Sequence, residues 1–124
     1  MGRYLALLAL VGLAACHNTQ ADAGAAQGTA DTVTKAVYDD DVAGVQSHMD
    51  SALQSQISRG EVGTLSDKMH MLGAYKGMTY LSGDPTKSEF TYRANFERGT
   101  MNVVVRIDND GKLAAYRVFP QGQP

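Results

Sequence analysis

The chain has 124 residues, with 11 basic and 13 acidic side chains, three histidines, one cysteine and a formal net charge of −2. This near-balance provides neither the basic footprint of a nucleic-acid-binding protein nor a polybasic membrane patch. The single cysteine excludes an intramolecular disulfide, and an odd cysteine count calls for another explanation. The length suits one small domain with a single hydrophobic core.

An apolar segment opens the chain. Arg3 is followed by twelve uncharged, mostly apolar residues, 4–15, which end in small side chains. As a helix they would extend about 18 Å, whereas the apolar core of a bilayer is about 30 Å thick. The segment is too short to span a membrane, so we predict that residues 1–15 are a secretory signal peptide. The alternative is a buried core helix followed by an ordinary buried thiol.

The signal peptide would end next to the only cysteine. The residues Leu13-Ala14-Ala15-Cys16 resemble the lipobox of bacterial lipoprotein precursors. The resemblance implies that Cys16 becomes the lipidated first residue of the mature protein, with diacylglycerol on its thiol and a third acyl chain on its amino group. Two acyl chains already give stable anchoring. Because His17 rather than aspartate follows the cysteine, the resemblance favours the periplasmic side of the outer membrane over the inner membrane.

Residues 16–29 are small or polar and show no apolar period, so beyond Cys16 they are predicted to be a flexible tether. The domain is predicted to occupy residues 30–120, and residues 121–124 to form a disordered tail. Its first half is predicted to be helical, over 31–38, 42–58 and 62–72. The acidic run 39–41 caps the second helix, and Arg59-Gly60 ends it.

After Gly73 the apolar period changes to two. Turn signals divide the remaining chain into predicted strands at 75–82, 88–97, 100–108 and 112–119. Two-residue turns at Arg98-Gly99 and Asp110-Gly111 would gather the large apolar side chains on one face. In that register, Phe96, Ala94, Tyr92 and Phe90 lie opposite Met101, Val103, Val105 and Ile107, with Ala114, Tyr116 and Val118 on the same face.

These elements predict an α+β fold, in which N-terminal helices pack on one face of a curved four-stranded antiparallel sheet. The lead-in Asp40-Asp41-Val42, the helix through Leu53, the break at Gly60 and the final hairpin at 107–113 resemble small secreted and lipoprotein members of the nuclear-transport-factor-2-like superfamily, with its cystatin-like roll. The resemblance implies a ligand site in the cone between helices and sheet. The superfamily includes enzymes, binding proteins and inhibitors, so the fold assigns no function.

Candidate catalytic residues are His48, His70 and Asp50, with Tyr75, Tyr80, Tyr92 and Tyr116 as polar lining. A general acid or base must lie within hydrogen-bonding reach of its substrate. His48 lies at the boundary of the apolar stripe of its helix, and His70 lies near a helix end, where it can simply cap or be solvated. Tyr92, Tyr116 and His70 are the predicted pocket lining. The inward tyrosines are equally explained as core residues with a solvated hydroxyl.

No metal site or cofactor is predicted. His17, His48 and His70 have no metal-ligand spacing. Asp108-Asn109-Asp110-Gly111 resembles the start of a calcium loop but lacks the later bidentate glutamate, and hairpin turn chemistry accounts for it.

The outer face of the predicted sheet carries three arginines on adjacent strands. Arg93, Arg106 and Arg117 should lie within two ladder steps of one another, with Phe119 adding apolar area. Arginine is enriched at binding hot spots, so this is the predicted interaction face. The alternative is a solvated strand face whose arginines cover neighbouring apolar atoms, with Glu97 as a partial neutraliser.

Three functional hypotheses follow. The preferred one is a membrane-anchored envelope lipoprotein whose non-catalytic domain binds a protein or small ligand. A second is an inhibitor or immunity-type lipoprotein that neutralises a toxin or hydrolase. The third is a small pocket enzyme of isomerase or hydrolase type that uses His48 or His70. The expected partners are the membrane, through lipid on Cys16, and an unidentified protein or ligand, with a homodimer through the sheet face as a further option. Nucleic acid is not expected.

Overall fold

A computed structural model describes residues 22–120 of the chain. Four helices come first: α1 (Ala23–Tyr38), α2 (Val42–Gln46), α3 (Ser51–Gln54) and α4 (Arg59–Met71). Four strands follow: β1 (Tyr75–Asp84), β2 (Glu89–Phe96), β3 (Gly99–Ile107) and β4 (Leu113–Pro120), with a 3-10 turn Pro85–Lys87 between β1 and β2. The strands form one antiparallel sheet in the order β1-β2-β3-β4, with the helices packed against it. The predicted α+β fold class is confirmed.

Helix α1 begins at Ala23, eight residues before the predicted start, so the prediction of a tether through residue 29 is wrong over 23–29. Asp22 caps the helix by accepting a hydrogen bond from the Ala25 amide at 2.7 Å. Ala26 and Ala30 are both buried in the core. The buried stripe of this helix starts with alanines, which allow close packing against the sheet but leave little hydrophobic pattern in the sequence.

The single helix predicted over 42–58 is in fact two short helices. The chain leaves the helical path after α2 because Met49 forms a parallel bridge with Leu113. The backbone amide of Asp50 donates to the Leu113 carbonyl at 2.9 Å, and the Leu113 amide donates to the His48 carbonyl at 2.8 Å. Asp50 then caps α3. The apolar spacing predicted one continuous helix because the buried side chains of both short helices face the same core.

Helix α4 starts at Arg59, although Arg59-Gly60 were predicted to be a stop. The start is fixed by a capping box, in which the Ser58 hydroxyl accepts from the Glu61 amide and the Glu61 carboxylate accepts from the Ser58 amide. The helix ends before Gly73, which has φ of +89°. A left-handed conformation of this kind favours glycine.

The β2–β3 hairpin turns at Glu97 and Arg98, so the predicted register is wrong by two residues. Phe96 lies opposite Gly99, and Tyr92 lies opposite Val103 rather than Val105. The residues that follow α4 hold this turn in place. The Arg98 amide donates to the Leu72 carbonyl, and the Glu97 amide donates to the Ala74 carbonyl. A two-residue slip leaves every side chain on its predicted face, so the hydrophobic pattern could not distinguish the two registers.

The core lies between the helices and the inner face of the sheet. Leu113, which was not assigned to the core, is fully buried because the register between β3 and β4 shifts at Arg106–Ile107 and turns it inward. Ala114 is only half-buried. The largest fully buried side chains are those of Tyr92, Phe90, Met49, Met69, Leu113, Val33, Val37, Val45, Val103 and Val105.

Candidate functional site

A pocket of about 100 Å³ lies between the helices and edge strand β4. Its walls are mainly aliphatic, and its two polar members are Glu61 and Tyr116. The position, between helices and sheet, is the one predicted for a ligand. The lining residues are Val37, Val45, Met49, Ile57, Glu61, Val62, Leu65, Tyr116 and Val118.

Tyr116 connects the sheet side of this pocket to α1. Its hydroxyl shares a 2.7 Å hydrogen bond with the hydroxyl of Thr34, which is completely buried. Burial raises the pKa of Tyr116 because the phenolate would lose its hydration. The tyrosine is therefore a neutral, hydrogen-bonded wall of the pocket.

Glu61 supplies the only carboxylate among the residues that line the pocket. The side chain is exposed, and one of its oxygens accepts from the Ser58 amide at 3.2 Å as part of the capping box. This contact gives the carboxylate a structural role at the start of α4. Its second oxygen keeps hydrogen-bonding capacity toward solvent or a ligand.

The pocket continues outward into a groove of about 620 Å³ along the edge of β4. We call it the β4 groove. Ile57, Glu61 and Tyr116 line both the pocket and the groove. The groove adds two arginines and a second carboxylate from the outer face of the sheet. Its lining is Leu53, Gln56, Ile57, Glu61, Glu89, Arg106, Ala114, Ala115, Tyr116 and Arg117.

The β4 groove contains charged side chains of both signs. Glu89 lies opposite Arg106 in the β2–β3 ladder, and an Arg117 guanidinium nitrogen lies 3.9 Å from a Glu89 carboxylate oxygen. The side chains of Arg117 and Glu89 are 59 % and 42 % exposed, so this ion pair is solvated and contributes little to stability. Both arginines therefore remain accessible to a bound molecule.

The outer face groups the predicted interaction residues in two places. Arg93 lies opposite Asn102, which lies opposite Phe119 on the next strand. Arg117 lies one ladder step further along, opposite Val104, and Arg106 lies another step beyond. All three arginines are exposed and Phe119 is half-buried. Arg106 and Arg117 line the β4 groove, whereas Arg93 and Phe119 do not.

Neither candidate histidine lines the pocket or the groove. His48 is half-buried, and its Nδ1 donates to the Gly44 carbonyl at 3.0 Å. His70 is exposed on α4, its ring stacked on that of Tyr38 at 3.9 Å, and its Nε2 donates to the Tyr38 carbonyl at 2.8 Å. Both side chains thus hold local structure.

The predicted pocket lining needs correction for Tyr92 as well as for His70. Tyr92 is fully buried under the start of α1, where its hydroxyl donates to the Ala23 carbonyl at 2.7 Å. Burial raises its pKa to about 12, with smaller contributions from Tyr80 and Asp22. Tyr75 and Tyr80, also considered as polar lining, lie on β1 and do not line the pocket either. Of the residues predicted to line it, Tyr116 is the one found there.

A tyrosine–carboxylate pair that sequence reasoning missed joins α1 to β1. The Tyr75 hydroxyl donates to Asp31 Oδ1 at 2.5 Å. Burial and then this hydrogen bond raise the pKa of Tyr75, because its phenolate would be desolvated and beside a carboxylate. Its ring packs against Tyr38 and Phe96 at centroid distances of 6.3 and 5.5 Å. Asp31 was considered only as a helix start, and 44 residues separate the partners.

Within residues 22–120, no group of three histidine, cysteine, aspartate or glutamate side chains is arranged to hold a metal ion. Asp108 Oδ1 accepts from the amides of Asp110 and Lys112, each at 2.9 Å, so it serves the hairpin turn. Over the same residues, no helix is long and apolar enough to cross a membrane. The predicted signal peptide at 1–15, Cys16, His17 and the tail at 121–124 lie outside the described residues.

Comparisons with protein-family models, with curated proteins and with solved structures find no match for this chain. The fold and the β4 groove are therefore the structural basis for a functional proposal.

Proposed function

We propose that this chain is an envelope lipoprotein, anchored through lipid on Cys16, whose folded domain binds a protein or small ligand without chemical turnover. The anchoring rests on Leu13-Ala14-Ala15-Cys16 and the apolar segment before it. In the lipoprotein pattern, His17 favours the periplasmic side of the outer membrane. The folded domain would then be held beside the membrane by residues 17–21.

The observation that carries the binding role is the β4 groove. It places the exposed guanidinium groups of Arg106 and Arg117 beside an apolar pocket. Edge strand β4 forms one wall, and an edge strand offers unpaired backbone groups to a partner. Arginine beside apolar surface is the composition of many binding hot spots.

The side chains that would serve an enzyme already have structural roles. His48 and His70 donate to backbone carbonyls away from the pocket, and Glu61 takes part in the α4 capping box. The pocket therefore has the composition of a recognition site, with mainly aliphatic walls and the Glu61 carboxylate as a polar contact. These arrangements favour binding over the third hypothesis, a pocket enzyme.

The test is a pulldown from detergent-solubilised envelope with the native lipidated chain. An Arg106→Glu, Arg117→Glu double variant should lose the partner, because it reverses both cations of the groove. Arg93→Glu is the matched control, since Arg93 is exposed on the same sheet face outside the groove. Equal capture by the double variant and the control would refute the groove assignment. A captured toxin or hydrolase, inhibited by the chain, would favour the inhibitor hypothesis.

A further inference from the structure

Three large hydrophobic side chains are exposed in the described part of the chain: Met71 at 74 %, Tyr80 at 46 % and Leu81 at 37 %. Tyr80 and Leu81 are consecutive on edge strand β1, and we call this pair the β1 patch. The β1–β2 register shifts between Tyr80 and Ser82. Such an irregularity works against the addition of another strand to this edge, so the patch is poorly suited to strand pairing with a second copy.

The β1 patch lies beside the start of α1. The ring of Tyr80 meets that of Tyr92 edge-on, with centroids 5.9 Å apart. The Tyr92 hydroxyl in turn donates to the carbonyl of Ala23, the first residue of α1. Gln27, one turn further on, donates to the Met78 carbonyl of β1 at 3.1 Å. These contacts fix the patch at the end of the domain where the chain arrives from Cys16.

The connection from Cys16 to the domain is short. Only residues 17–21 separate the cysteine from the helix cap Asp22. Six residue steps cannot reach further than about 20 Å, even fully extended. A domain of this size has a radius of gyration of about 13 Å. A lipid on Cys16 would therefore hold the α1 end of the domain within less than one domain diameter of the bilayer.

We propose that the β1 patch docks on the headgroup region of the bilayer that holds the Cys16 lipid. This inference rests on the proposed lipid anchor. Tyrosine suits that region because its ring is apolar and its hydroxyl remains hydrated, and Leu81 adds apolar area. The contact needs little affinity of its own, because a short tether gives it a high effective concentration at the membrane.

The third exposed hydrophobic side chain marks the opposite end of the domain. Met71 ends α4, and the following turn is tied to the end of α1 by the Tyr38 hydroxyl, which donates to the Gly73 carbonyl at 3.1 Å. Helix α1 has 16 residues, a length of about 24 Å. A probe at Met71 therefore reports on surface remote from the predicted bilayer contact.

The chain contains no tryptophan, so a single introduced tryptophan is the only tryptophan signal and can be excited selectively over the tyrosines. Native lipidated Tyr80→Trp and Met71→Trp proteins would be purified and reconstituted into vesicles of phospholipid brominated near the headgroup end of the acyl chains. We expect a large loss of Tyr80→Trp fluorescence relative to unbrominated vesicles, with a blue-shifted emission. Met71→Trp should show neither change. Leu81→Trp provides a second reporter if Tyr80→Trp fails to fold.

Each outcome decides the inference. Bromine quenching confined to Tyr80→Trp or Leu81→Trp supports it. Equal quenching at Met71, or none at either site, overturns it, while the proposed anchor stands if mass spectrometry finds acyl chains on Cys16. An unmodified Cys16 overturns the anchor and this inference together. A blue-shifted emission in vesicles without bromine quenching would mean that protein and not lipid covers the patch, which also overturns membrane docking.

Discussion

The hydroxyl groups of Thr34 and Tyr116 share a 2.7 Å hydrogen bond in the core, although the two residues are 82 positions apart. The bond joins α1 to β4, the first and last elements of the fold. Each hydroxyl satisfies the other in a place that water does not reach. The pair therefore closes the domain at the wall of the candidate pocket.

We expect Tyr116→Phe to destabilise the domain by about 1–3 kcal/mol, because it leaves the buried Thr34 hydroxyl without its partner. The measurement is the free energy of unfolding from denaturant titration. Tyr80→Phe, at an exposed ring, is the control and should change stability little. In a double-mutant cycle, Thr34→Val combined with Tyr116→Phe should be less destabilising than the sum of the single changes. Strict additivity would show that the hydroxyls are not coupled.

The early start of α1 can be tested with two adjacent alanines. Ala26 is 1 % exposed against the core, whereas Ala25 is exposed. Ala26→Leu should cost about 1–3 kcal/mol of stability through overpacking. Ala25→Leu should be nearly neutral, and it is the matched control because the helix gains the same side chain. Equal effects of the two substitutions on the unfolding free energy would indicate that residues 23–29 do not pack on the core.

Alkaline pH should destabilise the domain through its buried tyrosines. The pKa of Tyr92 is raised from 10.0 to about 12 by burial. Between these values the unfolded state loses the phenolic proton while the folded state keeps it, so folding stability falls as the pH rises. Below pH 10 both states are protonated and the effect is absent. The burial of Tyr75 and Tyr116 acts in the same direction.

The measurement for this prediction is the unfolding free energy between pH 9 and pH 12, from about a unit below the Tyr92 interval to its upper end. Tyr92→Phe should be less stable at neutral pH, because it loses the hydrogen bond to the Ala23 carbonyl. Its stability should nevertheless fall less steeply above pH 10 than that of the wild type. An unchanged slope would show that Tyr92 ionises equally in both states.

The lipid anchor has a direct test at the only cysteine. A Cys16→Ser precursor has no thiol to carry diacylglycerol, so it should remain unlipidated and leave the membrane fraction. Metabolic labelling with a fatty acid and fractionation of the envelope measure the two effects. Ser47→Ala, on an exposed side chain of the folded domain, is the control and should keep both the label and the location. Normal membrane retention of Cys16→Ser would contradict the leader assignment.

Some of the fold was predictable because its signals are local. The change of period after Gly73 and the turn residues predicted four strands, each within two residues of its observed bounds. Alternation also predicted the correct inward side chains on β2 and β3, and exposed arginines at 93, 106 and 117. These features follow from whether each side chain faces apolar or aqueous surroundings, which the sequence encodes residue by residue.

Other features depended on contacts between distant segments. The bridge between Met49 and Leu113 breaks the predicted long helix, and contacts with Leu72 and Ala74 select the hairpin register. Ala26 is buried against the sheet, so residues 23–29, which were predicted to be part of a tether, belong to α1. No pattern within one segment contains this information, because the partner that decides each case is far away in the chain.

The candidate site likewise combines features that the sequence predicts with features that only the tertiary structure decides. The sequence motif led to the prediction that Cys16 carries lipid, and the alternating period placed Tyr116, Arg106 and Arg117 in one sheet. Only the tertiary structure brought Glu61 and Ile57 across to Tyr116 to form the β4 groove, and placed His70 and Tyr92 outside it. The physical reason is that a groove is a property of surfaces from separate elements, whose packing sets the distances between their side chains.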